Sequence, residues 1–170
     1  AQWLCELVRR LKSRGLKVVL DTSGEALKQG LSAGPWLIKP NTEELSAALG
    51  HDIASLEAQV AAAEQLQAQG VEHVVISHGA DGVNWFSVGS ALHATPPKVT
   101  VASTVGAGDS LLAGMLHGLA SGWPDEQVLR TAAALAAHAV SQIGFGIPDS
   151  ARLQELLQQI HAQTEEGFTL

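Results

Sequence analysis

Apolar runs that favour strands alternate along this chain with longer segments of helical periodicity. Apolar side chains recur at helical spacing over residues 2–14, and Gly15 and the run Lys17–Leu20 follow directly. The same order returns later, where a helical segment at about 56–69 leads into the valine- and isoleucine-rich run Val71–Ser77. Because this alternation is typical of a mostly parallel sheet with helices on both faces, the sequence predicts an α/β layered domain.

The remaining elements are predicted from the same periodicities and from turn residues. The runs Val83–Val88 and Ala91–Thr95 flank Gly89 and Ser90, so we expect a small antiparallel hairpin. Small side chains over Ala132–Ala139 should let that helix pack closely on the helix that begins near residue 107. The other expected elements are strands at Trp36–Lys39 and Lys98–Ala102, helices at about 25–33, 107–121, 125–143 and 150–163, and a loose tail at Thr164–Leu170.

The composition restricts the kinds of protein that this chain can be. Its 170 residues are 46% hydrophobic and 16% charged, which suits a well-filled core and one domain over residues 1–170. The net charge of −7 argues against a nucleic-acid surface, so local donors must hold any anionic ligand. Cys5 is the single cysteine, which excludes a disulfide framework and predicts a buried side chain. The longest apolar tract, Ala132–Val140, is too short to span a bilayer, and we expect a cytoplasmic protein.

The sequence Gly106-Ala107-Gly108-Asp109 marks a turn into a helix. Apolar residues follow it at helical spacing: Leu111, Leu112, Met115, Leu116 and Leu119. The first amides of a helix lack intrahelical acceptors, so with the helix dipole they favour a phosphate or an anionic transition state. Asp109, in the first turn, can accept a proton from an attacking hydroxyl. The alternative is that the glycines only turn the chain and that Asp109 only suits the helix dipole.

Asn41 and Glu44 begin a second helix, directly after the predicted strand Trp36–Lys39 and Pro40. Asn41 is expected to cap this helix, with Glu44 as its partner in a capping box. The spacing of three residues also brings both oxygens to one face of the helix, as a hydrated hard cation requires. Capping alone would explain both residues, so both interpretations stay open.

Two further polar loops follow predicted strands. Asp21-Thr-Ser-Gly24 comes after the first strand, where open α/β sheets place ligands, although Asp21 also suits a turn. Ser77-His-Gly79-Ala-Asp-Gly82 comes after the strand Val71–Ser77. We expect the loops after these strands and the Asp109 loop to converge on one edge of the sheet.

Three common site types are excluded or disfavoured by the pattern. Leu111 stands where a dinucleotide-binding motif needs its third glycine, and no Walker lysine follows the glycines. The seven histidines form no close helical pair and no His-Glu-x-x-His arrangement, which argues against a zinc site.

The stretch Ser103–Leu116, which reads Ser-Thr-Val-Gly-Ala-Gly-Asp-Ser-Leu-Leu-Ala-Gly-Met-Leu, resembles the second signature of the phosphofructokinase-B branch of the ribokinase-like sugar kinases. The resemblance extends from about Leu16 to Ile147 and implies the C-terminal, nucleotide-binding half of a ribokinase-like fold. It also implies that an N-terminal half with a β lid precedes residue 1 in the longer enzyme. Ser103 stands where many superfamily members have an aspartate that helps to build a monovalent-cation site.

The resemblance implies roles for particular residues. Asp109 resembles the family's catalytic base, and the amides from Gly106 to Asp109, which include those of Ala107 and Gly108, resemble its anion hole. Asn41 and Glu44 match the Asn-x-x-Glu motif that positions water around magnesium. The residues implied to contact the nucleotide are Lys39, Ser77, Gly79, Gly82 and Thr104.

The resemblance also implies an activity. It is the transfer of a phosphoryl group from ATP, with Mg²⁺, to a hydroxyl of a phosphosugar, and conversion of fructose 1-phosphate to fructose 1,6-bisphosphate is favoured. Tagatose 6-phosphate and fructose 6-phosphate remain alternative substrates, because the family grips the sugar mainly with the N-terminal half. An alternative of another class is a non-catalytic nucleotide-binding fragment. The implied partners are a phosphosugar and, for the longer enzyme, a second copy in a homodimer, with no nucleic acid and no membrane.

Overall fold

The computed structural model describes residues 2–144 and 150–164. These residues form seven α-helices, six strands and one short 3-10 turn. The helices are α1 (Gln2–Ser13), α2 (Gly24–Leu31), α3 (Thr42–Leu49), α4 (Leu56–Ala68), α5 (Ala107–Ala120), α6 (Asp125–Val140) and α7 (Ala151–Gln159). The strands are β1 (Val19–Leu20), β2 (Leu37–Ile38), β3 (His73–Ser77), β4 (Val83–Ser87), β5 (Ser90–Ala94) and β6 (Ala162–Thr164), and the 3-10 turn is Gly79–Asp81.

The six strands form one mixed sheet in the order β1 to β6. The first three strands run parallel, with Leu20 opposite Ile38 and Ile38 opposite Val74. Strand β5 pairs antiparallel with β6, with Leu92 opposite Thr164. The predicted α/β fold class is therefore confirmed, and β1 lies at one edge of the sheet.

The chain divides into two compact units. Among the described residues, the first unit contains 2–78 and 85–91, and the second contains 79–84, 92–144 and 150–164. The first unit buries a cluster of aliphatic and aromatic side chains that includes Leu27, Ile38, Leu45, Ile53, Leu66, Val74, Ile76 and Phe86. In the second unit the buried residues include Leu111, Met115, Val128, Leu129, Leu156 and Ile160. The sequence prediction of one domain over residues 1–170 stays a prediction.

Small side chains bring α5 and α6 into close contact in the second unit. A Cβ atom added at Gly114 would lie 2.6 Å from the Cα of Ala132 and 2.9 Å from Cδ1 of Leu135. Carbon atoms pack favourably at about 3.5–4.0 Å, so this approach is available only to glycine. The close packing expected from the small residues of these helices is confirmed.

The predicted strand Lys98–Ala102 is wrong. The structure has no strand at these residues, because the amides of Ala102 and Ser103 donate to the carbonyl oxygen of Val140, at 2.7 and 3.3 Å. The segment is thus joined to the end of α6 rather than to a neighbouring strand. It leads directly into the loop before α5.

Two predicted boundaries differ from the structure by a few residues. The hairpin residues between β4 and β5 are Val88 and Gly89, one position earlier than expected. Helix α6 ends at Val140 rather than near residue 143, because the amide and the hydroxyl of Ser141 both bond to the carbonyl oxygen of His138. That side chain competes with the helical pattern and closes the last turn.

The end of the described chain contains a strand that the sequence did not predict. Helix α7 ends at Gln159 rather than near residue 163, and Arg130 donates to the carbonyl oxygens of Leu157 and Ile160, at 2.8 and 2.9 Å. Residues 162–164 then pair with β5. The remainder of the predicted tail, residues 165–170, lies outside the described residues.

Two expectations from composition can be compared with the structure. Cys5 is buried, as predicted, and its sulfur lies 3.4 Å from the hydroxyl oxygen of Ser32. Over residues 2–144 and 150–164, none of the helices combines the length and the apolar character that crossing a bilayer requires.

Candidate active site

Polar residues follow the parallel strands of the first unit at their carboxyl ends. Asp21 comes directly after β1, Lys39 directly after β2, and Ser77 is the last residue of β3. Ser77 pairs with Asn41 in an isolated parallel bridge, and its amide donates to the carbonyl oxygen of Pro40 at 3.1 Å. The structure therefore brings Lys39, Asn41 and Ser77 to adjacent positions at this edge.

Lys39 is a buried cation with an acidic neighbour. Lys39 is 8% exposed, and its Nζ atom lies 3.4 Å from Oδ1 of Asp21. The Asp21 side chain is 32% exposed. The sequence marked both residues as candidates but did not indicate that they form a pair.

The capping box at the start of α3 is confirmed. The Glu44 amide donates to Oδ1 of Asn41 at 2.8 Å, and the Asn41 amide donates to Oε2 of Glu44 at 2.9 Å. Both residues remain partly exposed, and Glu44 uses only one carboxylate oxygen in the box. The second oxygen can accept a hydrogen bond from a water on magnesium, so capping and a magnesium role are compatible. The magnesium role itself stays a prediction.

The geometry also limits how a metal ion could be held. Within the described ranges, no three His, Cys, Asp or Glu side chains are grouped as ligands. Magnesium usually keeps several waters and binds one or two carboxylates together with substrate phosphates. The Glu44 carboxylate and the side-chain amide oxygen of Asn41, at the start of α3, fit that donor set.

The glycine loop of the second unit forms the start of α5, as the sequence predicted. Gly106 is the N-cap residue and has a φ of 82°, a left-handed conformation that favours glycine. A Cβ at this position would meet nothing within 4 Å, so the space beside the loop is open. The Asp109 side chain lies in the first turn of α5, and the residue is exposed.

Backbone donors at this helix start are available for a ligand. The Ala107 amide is 3.5 Å from the carbonyl oxygen of Thr104, and the Ser110 amide donates to Gly106 at 2.9 Å. In the part of the chain that the structure describes, the amides of Gly108 and Asp109 donate to no backbone carbonyl oxygen. Together with the helix dipole, they can bind an anion of phosphate type.

Ser103 shapes the approach to this loop. Its hydroxyl oxygen accepts a hydrogen bond from the Val105 amide at 3.2 Å, and Thr104 between them is exposed. From the sequence alone, Ser103 stands out only as a departure from the family pattern. A serine two residues before the amide that it binds is a recognisable turn signal, so this role could have been found.

Gly79 and Gly82 occupy the loop between β3 and β4, within the second unit. Residues 79–81 form the 3-10 turn, and the Gly82 amide lies 3.4 Å from the carbonyl oxygen of Gly79. Gly82 packs against the carbonyl oxygen of Ala94 at the end of β5. Their proposed contact with a nucleotide stays a prediction, as does the convergence of the candidate residues on one sheet edge.

The chain matches a family model over most of its length. A model described as "pfkB family carbohydrate kinase" matches residues 1–152. The 1-phosphofructokinase of Haemophilus influenzae is 45% identical over 168 residues, which are 98% of this chain and 52% of that protein. The chain therefore spans about half the length of the curated relatives that it matches.

Solved structures with the same fold also extend beyond this chain. Phosphofructokinase-2 from Escherichia coli, in a crystal structure with substrates and products, has a TM-score of 0.82 and 29% identity. That similarity covers 91% of this chain and 51% of the other. Ribokinase from Arabidopsis thaliana, in complex with ribose and ATP, has a TM-score of 0.77 and 27% identity over 91% of this chain and 52% of the other.

Proposed function

Since this chain belongs to the pfkB family of carbohydrate kinases, we propose that it supplies the nucleotide-binding half of an enzyme that phosphorylates a phosphosugar with ATP. The observation that carries the proposal is the start of α5, where two amides that have no backbone acceptor among the described residues lie beside an exposed carboxylate. Fructose 1-phosphate is the proposed acceptor, because the relatives that are 45% and 49% identical to this chain are 1-phosphofructokinases.

The amides at the start of α5 would stabilise the group that is transferred. In phosphoryl transfer the negative charge spreads over three equatorial oxygens, so catalysis depends on fixed donors more than on covalent chemistry. The amides of Gly108 and Asp109 are such donors, and the turn at Gly106 leaves the space beside them open. Removing one such donor in other enzymes costs about 10²–10³ in kcat.

Asp109 would act as the general base. The acceptor hydroxyl oxygen forms a bond to the γ-phosphorus, the bond from that phosphorus to the bridging oxygen breaks, and ADP leaves with the electron pair. The hydroxyl proton goes to the Asp109 carboxylate. An exposed side chain in the first turn of α5 is accessible to such an acceptor.

Other residues at the strand ends would hold the nucleotide and magnesium. Lys39 would neutralise phosphate charge, and Asn41 with Glu44 would bind waters of the magnesium ion, which supplies further charge neutralisation when bound. Ser77, Gly79, Gly82 and Thr104 are the remaining proposed nucleotide contacts. The single, buried cysteine needs no oxidising compartment, which supports a cytoplasmic location.

The experiment is the substitution Asp109→Asn in the longest protein that the reading frame encodes. We expect kcat with fructose 1-phosphate to fall by about a hundredfold or more, because general base catalysis contributes about 10²–10⁴, while the Kd for ATP stays similar. Asp125→Asn is the matched control, since Asp125 is also an exposed acid in the first turn of a helix. A near-normal kcat for Asp109→Asn would reject the proposed base.

A further inference from the structure

The register of β1 and β2 brings the side chains of Asp21 and Lys39 together. Val19 lies opposite Leu37 and Leu20 opposite Ile38, so one more step in register sets Asp21 opposite Lys39. Side chains alternate between the two faces along a strand, so paired positions of parallel strands share a face. The 3.4 Å distance between Oδ1 and Nζ agrees with this register.

The Lys39 ammonium is neutralised but not saturated by this contact. Its side chain is 9% exposed, and the 3.4 Å separation is longer than the roughly 2.7–2.9 Å of a good charge-assisted hydrogen bond. The ammonium has three donors, and the contact with Asp21 uses one of them. Its other donors can bind a further acceptor that reaches the ends of the strands.

The position of these donors favours a phosphate oxygen as that acceptor. The pair lies at the carboxyl ends of parallel strands, where open α/β sheets bind their ligands. Two residues further along, Asn41 begins α3 and is bridged to Ser77 at the end of β3. A lysine in such a place is a compact point charge of the kind that binds phosphates.

Resting on the function proposed above, we propose that Asp21 is a positioning residue, which holds the Lys39 ammonium in place to bind a phosphate oxygen of ATP. The carboxylate confines the ammonium to the sheet edge. Without Asp21 the lysine would lose the carboxylate of its ion pair and would adopt other rotamers. The effect of Asp21 on the nucleotide therefore passes through Lys39.

Two simpler interpretations predict different results. If the pair only joins β1 to β2, removing it changes the stability of the chain but not its affinity for phosphates. If Asp21 acts by direct charge alone, its carboxylate repels a phosphate, and removing it tightens binding. A positioning role is the interpretation that predicts weaker binding, so the sign of the change distinguishes the three.

The test is calorimetric titration of the purified 170-residue chain with ATP, inorganic tripolyphosphate and adenosine at constant magnesium. For Asp21→Asn we expect the affinity for ATP and for tripolyphosphate to fall about tenfold, the low end of the effect of a hydrogen bond to a charged group. The affinity for adenosine should not change. Glu6→Gln is the matched control, because it removes one carboxylate from an exposed ion pair with Arg10 in α1.

A double-mutant cycle tests the route through Lys39. In the Lys39→Met background, adding Asp21→Asn should weaken ATP binding by no more than a further twofold, because the group that Asp21 positions is gone. If Asp21→Asn does not fold, as judged by circular dichroism, Asp21→Glu serves instead. It keeps the charge and should retain ATP affinity within about threefold of the original chain.

Each outcome has one meaning. Unchanged or tighter ATP binding by Asp21→Asn overturns the inference and leaves the proposed function standing. The same conclusion follows if Asp21→Asn weakens ATP binding by the same factor in the original chain and in the Lys39→Met background. Loss of ATP affinity by Asp21→Glu equal to that of Lys39→Met also overturns it. If the original chain binds neither ATP nor tripolyphosphate, the inference and the proposed nucleotide site both fail.

Discussion

Replacing Gly114 with alanine should push α5 away from α6 and destabilise the second unit. The added Cβ would lie 2.6 Å from the Cα of Ala132, about 1 Å closer than a favourable carbon contact, and 3.1 Å from the Cβ of the same residue. The Ala132 backbone cannot rotate away as a flexible side chain could. The helices must therefore separate locally, which places this change near the upper end of the roughly 1–3 kcal/mol cost of overpacking.

Helix propensity acts in the opposite direction and sets the net value. Glycine within a helix is about 1 kcal/mol less favourable than alanine, so Gly114→Ala regains about that much. We expect a net loss of about 2 kcal/mol, which for a chain of this length lowers Tm by roughly 4–8 °C.

Thermal unfolding followed by circular dichroism measures this shift. Ala113→Gly is the matched control, because Ala113 is the exposed neighbour on α5 and reports propensity without the contact. It should cost about 1 kcal/mol. A Tm for Gly114→Ala equal to or above that of the original chain would show that propensity alone decides, and the close approach of α5 and α6 would then be wrong.

Two further predictions concern the proposed enzyme. Glu44→Gln should keep the capping box, since glutamine also serves there, but should raise the magnesium concentration needed for half-maximal rate by about tenfold, as loss of an outer-shell group does at other metal sites; an unchanged magnesium dependence would leave capping as the role of Glu44. Ordinary enzymes have a kcat of about 10 per second. The 170-residue chain alone should turn over fructose 1-phosphate far more slowly than that, because positioning of an acceptor can supply about 7–11 kcal/mol of a barrier. Turnover near that ordinary value in a coupled assay for ADP would show that no further segment is needed.

Local signals predicted the start of α3 and the start of α5 correctly. The capping box of Asn41 and Glu44 joins residues three apart, and the turn at Gly106 depends on the conformation of one glycine. Both are decided by neighbours in sequence, so periodicity and residue type are sufficient. The helices at both positions were therefore predicted with their first turns in place.

The errors arise where distant residues decide the structure. Lys98–Ala102 has residues suited to a strand, but Ala102 and Ser103 bond to Val140, almost forty residues away. Residues 162–164 were assigned to a helix end and a tail, yet they pair with β5. In both cases tertiary contacts override local preference, which the sequence of either segment does not record.

The Asp21–Lys39 pair shows the same limit within the candidate site. Asp21 and Lys39 could each be proposed from their places after predicted strands, but their contact depends on how β1 is aligned with β2. A shift of one residue between those strands would direct the two side chains to opposite faces and remove the ion pair. That alignment is fixed by burial of Leu20, Leu37 and Ile38 rather than by either charged residue. The site chemistry at this edge is therefore a consequence of apolar packing beneath it, so changes to that packing should alter phosphate binding without any change to the charged residues.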